Sequence, residues 1–396
     1  MKKSIALLII FTPLWIVAQA TKVNFETSLE QAFTKAKQTN KLVFIEYFNH
    51  TCTVCKSIEP FFDNADMASF YNEHFINYKM DTFEGLKDAD KEFMDKANLH
   101  FNAVPFFLFF DKNQKFVHYS GARADLEYLL QIGKTALLPQ ERTESLQSKY
   151  ESGDRSIKTL YAYNDLLQLY QKEAEINAVS DELFKVYPKA NLGTHQSFLI
   201  LKNAVFTMEN GFFKYWLENK DKLIGIDKGN AKGEELKILE NIVLTSLRSP
   251  EKMQWSSDKI AAAKKNILDL GIADDPDAFL WEAECAAWVR ENKTHLAVEK
   301  MNKMLQDNEN NTIYTITILE TMQQIFKDKA QWTLIKTTLE GLKKKTSEPE
   351  QIGDIMVLET KHYKLIQDQV HYRRLLQETK HYLEKHQLDT SVLQGM

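Results

Sequence analysis

The chain has 396 residues, too many for one ordinary domain, and its 44% hydrophobic and 11% aromatic content can fill real cores, which excludes wholesale disorder. Its formal net charge of −5 comes with both signs spread along the chain. No basic stripe exists to neutralise phosphates, so nucleic-acid binding is not expected.

Residues 1–20 read as a cleavable signal peptide. Lys2 and Lys3 form a basic start, Ile5 to Val17 an apolar stretch, and Ala18-Gln19-Ala20 a small-residue cleavage site. An uncleaved anchor helix is the alternative, but the apolar run is short for a span. Cleavage removes two lysines and moves the net charge from −5 to −7. No other segment is long and apolar enough to cross a bilayer, so a periplasmic or secreted protein is expected.

Next, Ser28 to Lys37 has helical spacing, and Gln38-Thr39-Asn40 forms a turn. Leu42 to Phe48 reads as a buried strand because β-branched and aromatic residues run almost uninterrupted. Immediately after it comes Cys52-Thr53-Val54-Cys55, opening a helix expected through Ile58, with Pro60 interrupting it. Asp66 to His74 predicts a further helical turn or two, Phe75 to Asp81 a second strand, and Leu86 to Ala97 an amphipathic helix. Val104-Pro105 opens an aromatic strand, Pro105-Phe-Phe-Leu-Phe-Phe-Asp111, Asp111 to Gln114 makes a hairpin turn, and Lys115 to Ser120 returns beside it. Gly121 ends that strand, and a helix over Ala124 to Leu137 closes the region. The pattern is a mixed sheet with helices on both faces.

Two cysteines three apart, where a strand hands over to a helix, make a redox dithiol the leading idea. The spacing from this pair to a Val-Pro opening a hydrophobic hairpin, followed by Gly121, resembles the thioredoxin fold over Phe25 to Leu138. Cys52-Thr-Val-Cys55-Lys56-Ser-Ile-Glu59 and Asn72-Glu-His-Phe75-Ile-Asn-Tyr-Lys-Met-Asp81 resemble the thioredoxin-like domains found at the C-terminus of the periplasmic electron carrier DsbD. The expected fold class is therefore an α/β thioredoxin fold over 21–140, followed by an all-α helical-hairpin repeat domain over 141–396. In that second part, strand alternation disappears and helix pairs are expected to start near Ser156, Thr194, Gly233, Asp275, Thr312 and Gln351. Asp275-Pro276 is a start signal, an N-cap acid with proline at the first helical position. The period resembles a tetratricopeptide-like array, with an irregular all-helical domain as the alternative.

At a helix N-terminus, unpaired N–H groups and the helix dipole stabilise a thiolate on Cys52. Cys55, a turn further in, would resolve the mixed disulfide that Cys52 forms. A permanently oxidised brace is the alternative, but so small a loop would constrain the unfolded chain little. With no histidine or proline between the cysteines, the Cys52 pKa is expected toward the upper end of the ~3.5 to ~7 span of such sites, on the reducing side.

Glu46 lies six residues before Cys52, on the same strand face as Phe44 and Phe48. The resemblance implies a buried acid there, exchanging a proton with the inner cysteine, and burial would raise its pKa; a solvent-facing edge position is the alternative. It also implies a cis peptide at Pro105, with the Val104 backbone holding the incoming peptide. Thr51 stands where the family usually has tryptophan. His50 reads as a solvated loop residue; with the cysteines it lacks a fourth ligand, so no metal is expected. No cofactor beyond a Cys52–Cys55 redox disulfide is expected either. Cys285, on one helix face with Trp281 and Trp288, reads as a buried, inert thiol. His362-Tyr363, His371-Tyr372 and His381-Tyr382 read as surface residues, and Lys343 to Lys345 as a solvated cluster.

These features predict an exported thiol–disulfide oxidoreductase, a reductase whose partners are protein thiols and disulfides and a membrane electron-donor protein, with the helical part binding substrate or partner. The alternative is a helical scaffold whose thioredoxin-like part is a non-catalytic assembly module.

Overall fold

The computed structural model describes residues 21–228, 231–326 and 329–396, so the signal segment expected at 1–20 lies outside the described residues. The chain divides into two compact units, one of residues up to Val205 with Asn210–Tyr215, the other of Phe206–Glu209 with Trp216–Met396.

The first unit is built on a five-stranded sheet of β1 (Phe25–Glu26), β2 (Leu42–Phe48), β3 (Phe75–Asp81), β4 (Phe106–Phe110) and β5 (Phe116–Gly121), in the order β1-β3-β2-β4-β5. β2 runs parallel to β3 and antiparallel to β4, and β4 and β5 form the antiparallel hairpin. Between the strands lie α1 (Leu29–Thr39), α2 (Thr53–Ile58), α3 (Ala65–His74) and α4 (Asp88–Ala97), and α5 (Leu126–Leu137) follows the last. The helix starts have chemical causes. Ser28 accepts from the Gln31 N–H to cap α1, Asn64 accepts from Asp66 and Met67 to cap α3, and Asp125 accepts from Tyr128 to cap α5. Asn40, left-handed at φ 56°, closes α1. Pro60 does what its missing N–H requires: α2 stops at Ile58 and a 3-10 turn over Glu59–Asp63 follows.

Strand alternation divides the core. Phe44, Phe107 and Phe109 pack on Ile58, Phe62, Tyr71 and Leu129 beneath α2, α3 and α5, while Phe110 meets Phe93 and Phe93 meets Phe33 on the α1 and α4 side. Burying each such ring is worth roughly 1.5–3 kcal/mol. Gly133 lets α5 settle on α3, because a Cβ there would lie 2.6 Å from the Phe70 ring.

The helical part follows from α6 (Ser145–Glu151), α7 (Ile157–Leu169), α8 (Glu173–Val186) and α9 (His195–Ala204). Every element after β5 is helical, and these four helices belong to the first unit. Their ties to the sheet are long-range: Glu144 N–H donates to the Val117 carbonyl, His100 N–H to the Leu169 carbonyl at 2.9 Å, and the buried His118 ring bonds Thr143 Oγ1 at 2.9 Å. α10 (Gly211–Glu218) runs across the division.

The second unit continues with α11 (Leu236–Arg248), α12 (Ser257–Asp269), α13 (Asp277–Arg290), α14 (Thr294–Asp307), α15 (Thr312–Ile325), α16 (Lys329–Lys345), α17 (Pro349–Leu365) and α18 (Gln369–Lys385). α13 packs on α14 and α17 on α18, and the first helices of successive hairpins also touch, α13 with α15 and α15 with α17. That is a run of stacked helical hairpins. The starts fall close to the expected positions: Ser156 and Thr194 are side-chain N-caps, and Asp275 Oδ1 accepts from the Asp277 N–H. One reading is corrected: His362, Tyr363 and Tyr372 are buried. α17 packs against α15, α16 and α18 together, so more than one of its faces is covered, including the one bearing His362. No helix among the described residues is long and apolar enough to cross a membrane.

Candidate active site

The sheet aims the Cys52 segment. β2 ends at Phe48, Asn49 Oδ1 gathers the Thr51 N–H at 2.8 Å and its hydroxyl at 2.7 Å, and Cys52 N–H donates to the Asn49 carbonyl. Cys52 then sits at the N-cap of α2, where its sulfur accepts the Cys55 N–H at 3.3 Å. An N-cap sulfur faces the positive end of the helix, which favours the thiolate. What burial Cys52 has pushes its pKa up, but the hydrogen bond from the Cys55 thiol, backbone N–H groups and the charge of Lys56 outweigh it, and the net shift is downward. Cys55 is buried, and burial pushes its thiol up to about 12. Both cysteines are free thiols.

Glu46 is fully buried in β2, on the Phe44 face. Desolvation dominates its titration and lifts its pKa to about 8, against the lowering influence of Lys79. The β2–β3 register places Lys79 directly beside it. Lys79 Nζ lies 3.3 Å from Glu46 Oε2 but makes its short contacts, 2.6 and 2.7 Å, to Glu59. The Glu46 approach is near enough for charge attraction but not aligned as a hydrogen bond, and neither Glu46 oxygen has a hydrogen-bond partner. The Lys79 ammonium also stands 4.9, 5.3 and 4.7 Å from the ring centroids of Phe25, Phe48 and Phe62. Glu46 and Cys55 sense each other, since a charge on Glu46 raises the Cys55 pKa.

The Val104–Pro105 peptide bond is cis. Tyr47 pairs with Phe106 across β2 and β4, so Pro105 lies level with the end of β2, beside the loop that carries the cysteines.

His50 lies in the loop with its side chain exposed, and it has a partner there. Its Nδ1 contacts Asp81 Oδ2 at 2.6 Å, and its ring lies 4.4 Å from that of Phe83. Burial raises the Asp81 pKa, but hydrogen bonds from the His50 ring and from backbone N–H groups of Phe83 and His50 hold it below the ordinary carboxylate value. Sequence spacing did not reveal this pair, nor Lys79, because both depend on β3 lying beside β2. Among the described residues no group of three or more His, Cys, Asp or Glu side chains is placed to hold a metal ion.

Known proteins resemble the first part of the chain. A family model described as Thioredox_DsbH, a protein of unknown function (DUF255), matches residues 12–127. A solution structure of a "putative disulphide-isomerase" from Bacteroides thetaiotaomicron is 30% identical over 97% of its own chain and 30% of this one, with a TM-score of 0.26. No curated protein matches. On the identity and the extent of that relative covered, the chain belongs to the thioredoxin-like family.

Proposed function

We propose that the protein is an exported thiol–disulfide oxidoreductase that reduces protein disulfides with the Cys52–Cys55 dithiol. The observation that carries this is the Cys52 sulfur at the α2 N-cap, its pKa lowered, accepting the backbone N–H of Cys55, whose own thiol is also free. The relative described as a disulphide-isomerase supports the same class of chemistry.

The Cys52 thiolate attacks one sulfur of a substrate disulfide. A Cys52–substrate bond forms, the substrate S–S bond breaks, and the departing sulfur takes a proton. Cys55 then loses its proton to Glu46, whose pKa of about 8 suits a base near neutrality. The Cys55 sulfur attacks Cys52, releasing the second substrate thiol and leaving a Cys52–Cys55 disulfide. Two electrons pass to the substrate, and a membrane electron-donor protein restores the dithiol. In this proposal Val104 presents its backbone to the incoming chain beside Pro105, and the helical hairpins supply binding surface.

The test is capture. Cys55→Ser incubated with a periplasmic extract should accumulate adducts that dithiothreitol releases, and Cys52→Ser should accumulate none. An empty Cys55→Ser lane would sink the proposal. A reduction potential near ~−270 mV would support a reductase, whereas ~−120 to ~−180 mV would reverse the direction of electron flow.

A further inference from the structure

A cleft in the first unit takes no part in the exchange steps. It is lined by Tyr47, Phe101, Phe106 and Tyr119 from the redox region and by Asp165 from α7. Asp165 and Tyr119 also line the adjoining hollow toward Gly121 and Thr159, so they stand where the two meet. The rings form a chain: Tyr47 and Phe101 centroids are 5.3 Å apart, Phe101 and Phe106 4.9 Å, Phe106 and Tyr119 6.0 Å.

Asp165 accepts a hydrogen bond from the Tyr119 hydroxyl. It is accessible along the cleft, yet the surrounding protein still raises its pKa. Among the described residues no lysine or arginine forms an ion pair with it. The cleft's Lys91 is engaged by Asp95 at 2.6 Å. A carboxylate without a counter-ion, set among aromatic faces, is complementary to an organic cation, because ring quadrupoles and the carboxylate both attract positive charge.

Position selects the source of that cation. Phe106 directly follows Pro105, so a polypeptide held along Val104 while its disulfide meets Cys52 would pass the mouth of this cleft. We propose that the cleft of Tyr47, Phe101, Phe106, Tyr119 and Asp165 receives a lysine or arginine side chain of the polypeptide that Cys52 reduces. This rests on the oxidoreductase proposal and adds a preference to it: basic residues near the reactive cysteine. It also gives the first helices a role in substrate choice, since Asp165 lies outside the thioredoxin fold.

Binding and turnover separate the two ideas. Cysteine-free peptides carrying one arginine, or its uncharged isostere citrulline, are titrated into the full mature Cys52→Ser/Cys55→Ser protein by fluorescence anisotropy. The arginine peptide should bind about tenfold tighter, and adding Asp165→Asn should erase that difference. Phe101→Leu keeps the carboxylate, should weaken only the arginine peptide, and serves if the Asn variant does not fold. Equal affinities for the two peptides, or a preference that survives Asp165→Asn, would overturn the inference. Disulfide-linked versions of both peptides are then assayed with the unsubstituted protein. Discrimination in binding with no turnover of either would remove the redox proposal and leave the cleft standing.

Discussion

Cys55 in the first unit and Cys285 in the second are both buried, and burial pushes each thiol up to about 12. Cys55 has Cys52 one turn away; Cys285 is packed with Trp281, Met301 and Leu319. Two buried glutamates divide the same way. Glu284 is held at 2.6 Å by both Lys264 and Lys300, which also grip Asp277 in a closed ring of charges. Glu46 has one ammonium at 3.3 Å and no hydrogen bond. A perturbed group alone therefore says little. What separates chemistry from architecture here is whether the perturbed group has a reactive neighbour and an unmet valence.

The contrast can be broken most decisively with an alkylating agent. At pH 8, Cys52 in the reduced protein should react more than ~10³-fold faster than Cys285, because a thiol near 12 is almost wholly protonated there. Peptide mapping after timed iodoacetamide quenching reads both rates, and comparable rates would dissolve the distinction.

Next in size is Glu46→Gln. Between about pH 4.5 and 8 the folded protein keeps the Glu46 proton while the unfolded chain has lost it, so stability falls as pH rises through that window. Below it both states are protonated and the penalty vanishes; above it the penalty is complete, on the order of 5 kcal/mol at most. The glutamine variant should therefore gain on the parent as pH climbs from 5 to 8, by denaturant titration at each pH. A constant difference would place Glu46 in a polar setting.

Glu284→Leu should act in the opposite direction, costing about 2–4 kcal/mol at neutral pH by leaving Lys264 and Lys300 short of a counter-charge. Thiol exchange per folded molecule should not change. A loss of exchange would make the charged ring more than architecture.

Sequence patterning reached far into the thioredoxin-like region. β2 and β3 fall where the aromatic and β-branched runs begin and end, and Cys52, Cys55, Glu46 and the cis Val104–Pro105 are brought to one end of the sheet as expected. Two-residue β1 escaped because it is too short to show any period. Lys79 and the His50–Asp81 pair escaped because register, not composition, brings them to the site. His362 was misplaced because a helix covered on several sides has no polar face to read.

The bond from the His100 N–H to the Leu169 carbonyl has a calorimetric consequence. It ties the loop ahead of Pro105 to α7, so sheet and first helices should melt as one body. The heat-capacity step of that transition would be about 2.5 kcal/mol/K, the scale of nearly two hundred residues, where a thioredoxin fold alone would give about 1.6. The loop that leads to the cis Val104–Pro105 bond would then open only when that whole body does.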